Sequence, residues 1–260
     1  MPACRTAQYP PSRSRLTAPG DRLGLFKQLA RAGPATSGEL ASRAGLSERY
    51  VREWLDGMYA AGYLEFDPPQ ERFWLPAEHV PTLADVGCGT GQALIALARA
   101  FPAVTGTGYD AHPPVIEQAR QAAAEAGVAD RVTYQVCDAA TGLPEAFDVI
   151  TTFDVVHDSA DPLGLLRSIR DALQPGGRYL CLEINCADQP DGNVGPIASL
   201  LYGFSLLYCM TTSLAQDGEG LGTLGLPESR LRQLAGKAGF GQVRRVEMDN
   251  PFNTLYELTR

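Results

Sequence analysis

A short apolar run breaks directly into alternating glycines at Leu83-Ala84-Asp85-Val86-Gly87-Cys88-Gly89-Thr90-Gly91-Gln92, and no other segment limits the possible folds as sharply. A strand that passes through glycines into a helix can turn tightly and approach a ligand with no Cβ in between. The details exclude two common phosphate binders. A dinucleotide fingerprint places its third glycine at position 92, where Gln92 stands. A phosphate loop needs Gly-Lys-Ser/Thr, and this turn has no lysine. Asp85 points instead to a cationic ligand group, which suits a carboxylate better than a pyrophosphate does.

Around this turn, apolar runs alternate with helical stretches: Leu83–Val86, Ala93–Phe101, Val104–Tyr109, Val115–Ala126, Val132–Val136, Phe147–Phe153, Leu163–Leu173 and Tyr179–Ile184. The alternation predicts an α/β fold, a doubly wound parallel sheet with helices on both faces. The end differs. Leu226–Ala238 reads as a helix, and Val243–Met248 and Thr254–Leu258 read as an antiparallel strand pair flanking Asp249-Asn250-Pro251. Gln174-Pro175-Gly176-Gly177-Arg178 reads as a turn into a fifth strand that ends in Glu183. Ligands of such sheets bind at the carboxyl ends of the strands. Asp110 and Asp138 stand at two of those ends, and His157 lies in the loop at a third. A neutral imidazole there can take a proton from a hydroxyl, with Asp158 or Asp161 to orient it. The other reading of His157 is a residue that caps or packs the loop. His79 and His112 have weaker cases, His112 as a residue at a ribose edge.

Residues 21–79 read as a small separate domain. Leu23, Phe26, Leu29 and Ala30 mark a first helix, Ser37 caps a second with Leu40 and Ala41, and Ser47 caps a third with Val51, Trp54, Leu55 and Met58. A hairpin follows, Tyr63–Phe66 and Arg72–Leu75 about Asp67-Pro68-Pro69. Helices joined by a tight turn and followed by a hairpin describe a winged helix-turn-helix. Its charge speaks against DNA: residues 1–80 hold 10 Lys/Arg and 9 Asp/Glu, a net of +1, and the third helix carries Glu48 and Glu53 beside Arg49 and Arg52. A groove reader clusters base on that face, because phosphate neutralisation supplies most of its affinity. Dimerisation or docking is the expected role.

The glycine turn resembles motif I of the class I S-adenosylmethionine-dependent methyltransferases, an acid, one residue, then GxGxG, matched by Asp85, Gly87, Gly89 and Gly91. The resemblance implies a Rossmann-like methyltransferase sheet with S-adenosylmethionine as cofactor. It implies that Gly87, Cys88, Gly89 and Gly91 pass beneath the methionine part, with Asp85 on its amino group. Asp110 and Ala111 fall at the ribose, Asp138 and Ala139 at the adenine, and Phe153 among the cofactor contacts. The pair His157-Asp158 is similar to the His-Asp of plant-type small-molecule O-methyltransferases, where the histidine is the base. The segments Gly20–Phe26, Arg49–Leu55 and Asp249–Leu258 resemble bacterial-type methyltransferases that carry an N-terminal winged helix. The likeness spans roughly residues 20–260. It departs at Pro76–Pro81, where such proteins carry a helical lid of several tens of residues.

The implied function is methyl transfer to a small, apolar, hydroxylated acceptor. The alternative is an inactive cofactor-binding regulator or interaction protein derived from such an enzyme by loss of the lid. Val194–Leu214 is apolar nearly all round, which predicts a buried helix: a cap over the acceptor, a subunit interface or plain core. No stretch reads as spanning a membrane, since Ala198–Ala215 is short and holds Gly203, serines and threonines. The six cysteines show neither disulfide nor zinc spacing, so no metal is expected, and a cytoplasmic location fits reduced thiols. Residues 1–20 carry Arg5, Arg13 and Arg15 with no acid and no apolar signal core, and read as a disordered tail. A homodimer, a small-molecule substrate and no nucleic-acid or membrane partner complete the expectation.

Overall fold

The computed structural model describes residues 19–20, 22–76, 82–101 and 104–260, so the tail over 1–18, His79 and the junction residues 77–81 lie outside the described residues. The chain divides into two compact units at residue 82. In the first, helices α1 (Leu25–Ala32), α2 (Ser37–Ala44) and α3 (Glu48–Ala60) precede a hairpin of β1 (Glu65–Asp67) and β2 (Arg72–Trp74). Leu25, Leu29, Leu40, Leu55, Met58 and Phe73 fill its core. Two starts differ from the sequence expectation. Helix α1 begins at Leu25 rather than Leu23, because Gly24 takes a left-handed φ of 68°. Thr36, not Ser37, caps α2: its hydroxyl accepts from the Glu39 amide, and the Glu39 carboxylate accepts from the Thr36 amide. Ser37 is already helical and donates to Glu48 Oε1 at 2.5 Å.

The second unit is a seven-stranded sheet in the order β5-β4-β3-β6-β7-β9-β8. Its strands are β3 (Thr82–Val86), β4 (Thr105–Asp110), β5 (Val132–Val136), β6 (Phe147–Phe153), β7 (Leu173–Ile184), β8 (Gln242–Val246) and β9 (Asn253–Thr259). Pairing is parallel from β5 to β7, and β9 runs antiparallel to both β7 and β8. Alternation along β3 divides the core between the two faces. Leu83 packs with Leu94 and Ile95 of α4 (Gln92–Ala100) and Ile116 of α5 (Pro113–Glu125). Ala84 and Val86 pack with Leu166 and Ile169 of α6 (Pro162–Asp171) and Leu231 of α9 (Glu228–Ala238). The sheet is therefore doubly wound, with its order reversing at β3, where a ligand crevice is expected. The run Gln174–Arg178 lies inside β7 as an irregularity, with Phe147 opposite Leu173 but Val149 opposite Arg178.

Of the three readings of Val194–Leu214, plain core is the one that fails here. Residues 194–214 form α7 (Pro196–Phe204), a π-helical turn Ser205–Cys209 and α8 (Met210–Leu214), and this helix is largely exposed rather than buried. Leu200, Leu206, Leu207 and Tyr208 are more than half exposed. An apolar residue buries only when a neighbour covers it, and among the described residues of this unit none covers this face. By length and composition alone, Pro196–Leu214 is also long and apolar enough to cross a membrane, contrary to the sequence reading.

Candidate active site

The chemistry-bearing residues converge at the carboxyl ends of β3, β4, β5 and β6. After Val86 the chain folds back. The amides of Gly87 and Cys88 donate to the Tyr109 carbonyl at 2.8 and 3.0 Å, and that of Gly91 donates to the Cys88 carbonyl at 2.9 Å. Gly87, Gly89 and Gly91 all take positive φ, 70°, 52° and 78°, which side chains rarely adopt. At Gly89 the absent Cβ faces open space, with nothing within 4 Å. That opening gives a ligand unobstructed access to the backbone.

Asp85 is 1% exposed. Its Oδ1 accepts from the Thr151 hydroxyl at 2.9 Å, while its Oδ2 is buried with no partner. Burial pushes the carboxyl up to about 7, against the Thr151 bond, and the Asp110 charge adds to the rise. An orphaned, destabilised carboxylate oxygen beside a glycine turn fits a cationic ligand group. Asp110 braces the same turn, its Oδ2 accepting from the Gly89 amide at 3.0 Å and its Oδ1 from the His112 amide at 2.9 Å. Each oxygen keeps a second lone pair for a ligand hydroxyl. Asp138 is exposed and its Oδ1 accepts from the Ala140 amide at 3.1 Å, capping the short 3-10 turn Ala139–Thr141.

A cavity of about 200 Å³ brings together Gly87, Asp110, Ala111, Asp138, Ala139, Val155 and Asp158. Asp85, Cys88, Gly89, Gly91, Phe153 and His157 do not line it. Phe153 follows Thr151 by two residues and so leaves β6 on the face that Asp85 shares through the Thr151 bond. It is 37% exposed, at the glycine-turn end of the site. Val156 is fully buried, and Val155 packs where a Gly87 Cβ would fall, 2.6 Å from its methyl.

His157 lies in the loop between β6 and α6, as the sequence predicts, but its ring is buried. It is 3% exposed, with Nδ1 at 2.6 Å from Glu183 Oε2. Its Nε2 faces Asp158 Oδ1 at 3.2 Å, but that oxygen makes no aligned hydrogen bond. Glu183 is the residue the sequence reading passed over: 1% exposed, it also accepts from the Val156 amide at 2.7 Å through Oε1. Its place at the end of β7, beside β6, was the only available signal. Asp161 does not orient the ring; it caps α6, accepting from the Gly164 amide at 2.8 Å. Burial works to lower the imidazole pKa, but Glu183, Asp158 and Asp154 outweigh it and hold the ring's pKa above its ordinary value. With Nδ1–H donated to Glu183, Nε2 is the nitrogen left to exchange a proton. Metal-capable donors also gather on both sides of the ring, Asp154 with Glu183 and Asp158 with Cys209, each set within 4.8 Å. Cysteine spacing predicted no such grouping, because these residues meet only through the tertiary fold.

Residues 84–179 match the model of a methyltransferase domain, and residues 13–85 match that of an Rv2258c-like winged HTH domain, so the two spans overlap at residues 84–85. Among curated proteins, the mitomycin biosynthesis 6-O-methyltransferase of Streptomyces lavendulae is 33% identical over 64% of this chain and 46% of its own length. The aclacinomycin 10-hydroxylase of Streptomyces purpurascens is 37% identical over 46% of this chain and 32% of its own. The chain thus spans less than half the length of these curated relatives. Among solved structures, an O-methyltransferase from neocarzinostatin biosynthesis, in complex with S-adenosylmethionine and 2-hydroxy-5-methyl naphthoic acid, superposes with a TM-score of 0.53 at 18% identity, covering 96% of this chain and 99% of its own.

Proposed function

We propose that the chain, whose residues 84–179 match a methyltransferase domain and 13–85 a winged HTH domain, is a class I methyltransferase that uses S-adenosylmethionine and methylates a hydroxyl of a small, apolar aromatic molecule. The orphaned Asp85 Oδ2 beside the open face of Gly89 is the observation that carries the assignment of the cofactor site. When bound, S-adenosylmethionine supplies an electrophilic methyl group on a sulfonium. This chain's residues do the rest. Asp85 accepts from the methionine ammonium, and the backbone of Gly87–Gly91 lets that end lie close. Phe153 flanks the same end, while Asp110 and Ala111 take the ribose and Asp138 and Ala139 the adenine edge. His157 accepts the acceptor's proton at Nε2, and Glu183 fixes the tautomer that leaves that nitrogen basic. Positioning supplies most of the rate in such transfers. The acceptor's ring class rests on likeness: the neocarzinostatin enzyme's complex holds a hydroxylated naphthoic acid.

A second reading is favoured by one observation. Both His157 nitrogens face carboxylates and the ring does not line the cavity, as suits a residue that packs the site of a non-catalytic cofactor-binding protein. Turnover separates the readings. The protein is incubated with S-adenosylmethionine and a panel of hydroxylated aromatics, and S-adenosylhomocysteine is measured. Release above the acceptor-free rate is expected; tight cofactor binding with no release from any acceptor leaves the second reading. Either way, a cytoplasmic homodimer is the proposed form. The apolar groove of the winged unit, lined by Leu23, Leu46, Tyr50, Val51 and Trp54, supports the dimer.

A further inference from the structure

Tyr134 belongs to no motif, yet it touches the glycine turn from two strands away. It sits on β5, opposite Gly108 of β4, and is 3% exposed. Its hydroxyl donates to the Gly91 carbonyl at 3.0 Å. That carbonyl also accepts the Ile95 amide at 3.0 Å, the first bond of α4. The phenol therefore tethers the point where the turn becomes a helix. Its ring occupies space that only glycine leaves open. A methyl on Gly91 would lie 2.5 Å from the Tyr134 hydroxyl oxygen, and one on Gly108 would lie 2.5 Å from the ring Cδ1. From outside, Arg120 holds the strand in place, donating to the Tyr134 carbonyl at 3.1 Å from Nε and 2.8 Å from Nη2. Burial pushes the phenol's pKa well up, so it remains a donor at any physiological pH.

We propose that Tyr134 is a positioning residue for the cofactor: with Gly108 and Gly91 it forms a strut that sets the glycine turn in its binding shape. The physical reason is preorganisation. A turn with three positive-φ glycines has much conformational freedom to lose on binding, and a buried hydrogen bond from a rigid ring removes part of that loss beforehand. Gly108 is then a glycine for the sake of the tyrosine and of the Cys88 thiol beside it, not of the sheet.

The proposal rests on the cofactor site described above, and its test separates the two. S-adenosylhomocysteine binding is measured by calorimetry, and amide exchange is followed in the cofactor-free protein. Tyr134→Phe keeps the ring and deletes the donor. It should weaken binding about 3- to 10-fold, as expected for one neutral hydrogen bond. It should also speed exchange of the Gly91 and Ile95 amides while distant core amides stay unchanged. Gly108→Ala should displace the ring, and with it the Cys88 thiol that a methyl there would meet at 2.9 Å, and weaken binding by a similar or larger factor. In Gly108→Ala/Tyr134→Leu the loss should fall short of the product of the losses in Gly108→Ala and in Tyr134→Leu, each measured alone. Wild-type binding with an unchanged Tyr134→Phe affinity and unchanged exchange overturns the strut and leaves the cofactor site standing. Strictly multiplicative losses overturn it too. No binding by the folded wild type overturns both.

Discussion

Two buried ionisable groups, Asp85 and His157, are held away from their ordinary pKa values, and the signs of their contributions to folding can be worked out. Asp85 is raised to about 7 by burial, so the unfolded chain releases this proton at lower pH than the native one does. The native state therefore loses stability from about pH 4 until about pH 7 and then levels off. Asp85→Asn should abolish that loss, so the variant's melting temperature overtakes the cofactor-free wild type's as pH rises. The same change should weaken S-adenosylhomocysteine binding by about 1.5–3 kcal/mol, since it removes a charged hydrogen bond. A difference in melting temperature that does not vary with pH counts against the orphaned carboxylate. For His157 the folded pKa lies above the ordinary value of 6.5. Its pairing with Glu183 contributes fully below about pH 6.5 and fades as pH rises through the folded value. Catalysis needs the neutral ring, so the methyl-transfer rate should rise with pH through an inflection above 6.5. His157→Ala should lower that rate about 10²- to 10⁴-fold and leave cofactor affinity nearly unchanged. Activity that survives in the variant makes proximity alone sufficient.

Among the elements, the strands and helices of the sheet were legible because period and turn chemistry agree along the chain. The run Leu83–Val86 into glycines fixed where the site had to be, and Asp85, Asp110 and Asp138 do stand at the ends of successive strands. What stayed hidden depends on packing across strands. Glu183 reads as any strand-end acid until β7 is laid beside β6, and Tyr134 reads only as one residue of the run Val132–Val136. The helix over 196–214 is not plain core for a related reason. Apolarity says that a face must be covered; it does not say by what. Leu207, 79% exposed, gives the cleanest probe. Leu207→Glu should change stability by no more than about 0.5 kcal/mol in chemical denaturation, as an exposed site does. It should reduce concentration-dependent self-association in light scattering. A marked loss of stability shows instead that the leucine is packed in solution.

The chain as a whole carries a net charge of −8, and the winged unit does not offset it where a groove reader would. Arg49 and Arg52 on α3 are paired with Glu53 and Glu48, at 2.6 and 2.8 Å, so the helix neutralises its own base. No sequence-specific DNA binding is expected at physiological salt, and a selection experiment that returns a reproducible motif overturns this. A dimer mass is expected by light scattering at micromolar concentration. A monomer mass removes the groove beside Trp54 from consideration as an interface.

The placement of β9 bears on how the chain is made. Strand β8 precedes β9 in synthesis but reaches the sheet only through it, because β9 lies between β7 and β8. A nascent chain halted before residue 253 can wind every parallel strand and still leave β7 bare along Tyr179–Ile184, with β8 unable to dock. An unpaired, apolar strand edge is a template for another chain. The bare edge therefore lasts from the completion of β7 at Ile184 until Asn253–Thr259 pairs with it, and aggregation competes throughout that interval. A slow codon or a stalled ribosome between residues 184 and 253 would prolong that exposure without altering the sequence.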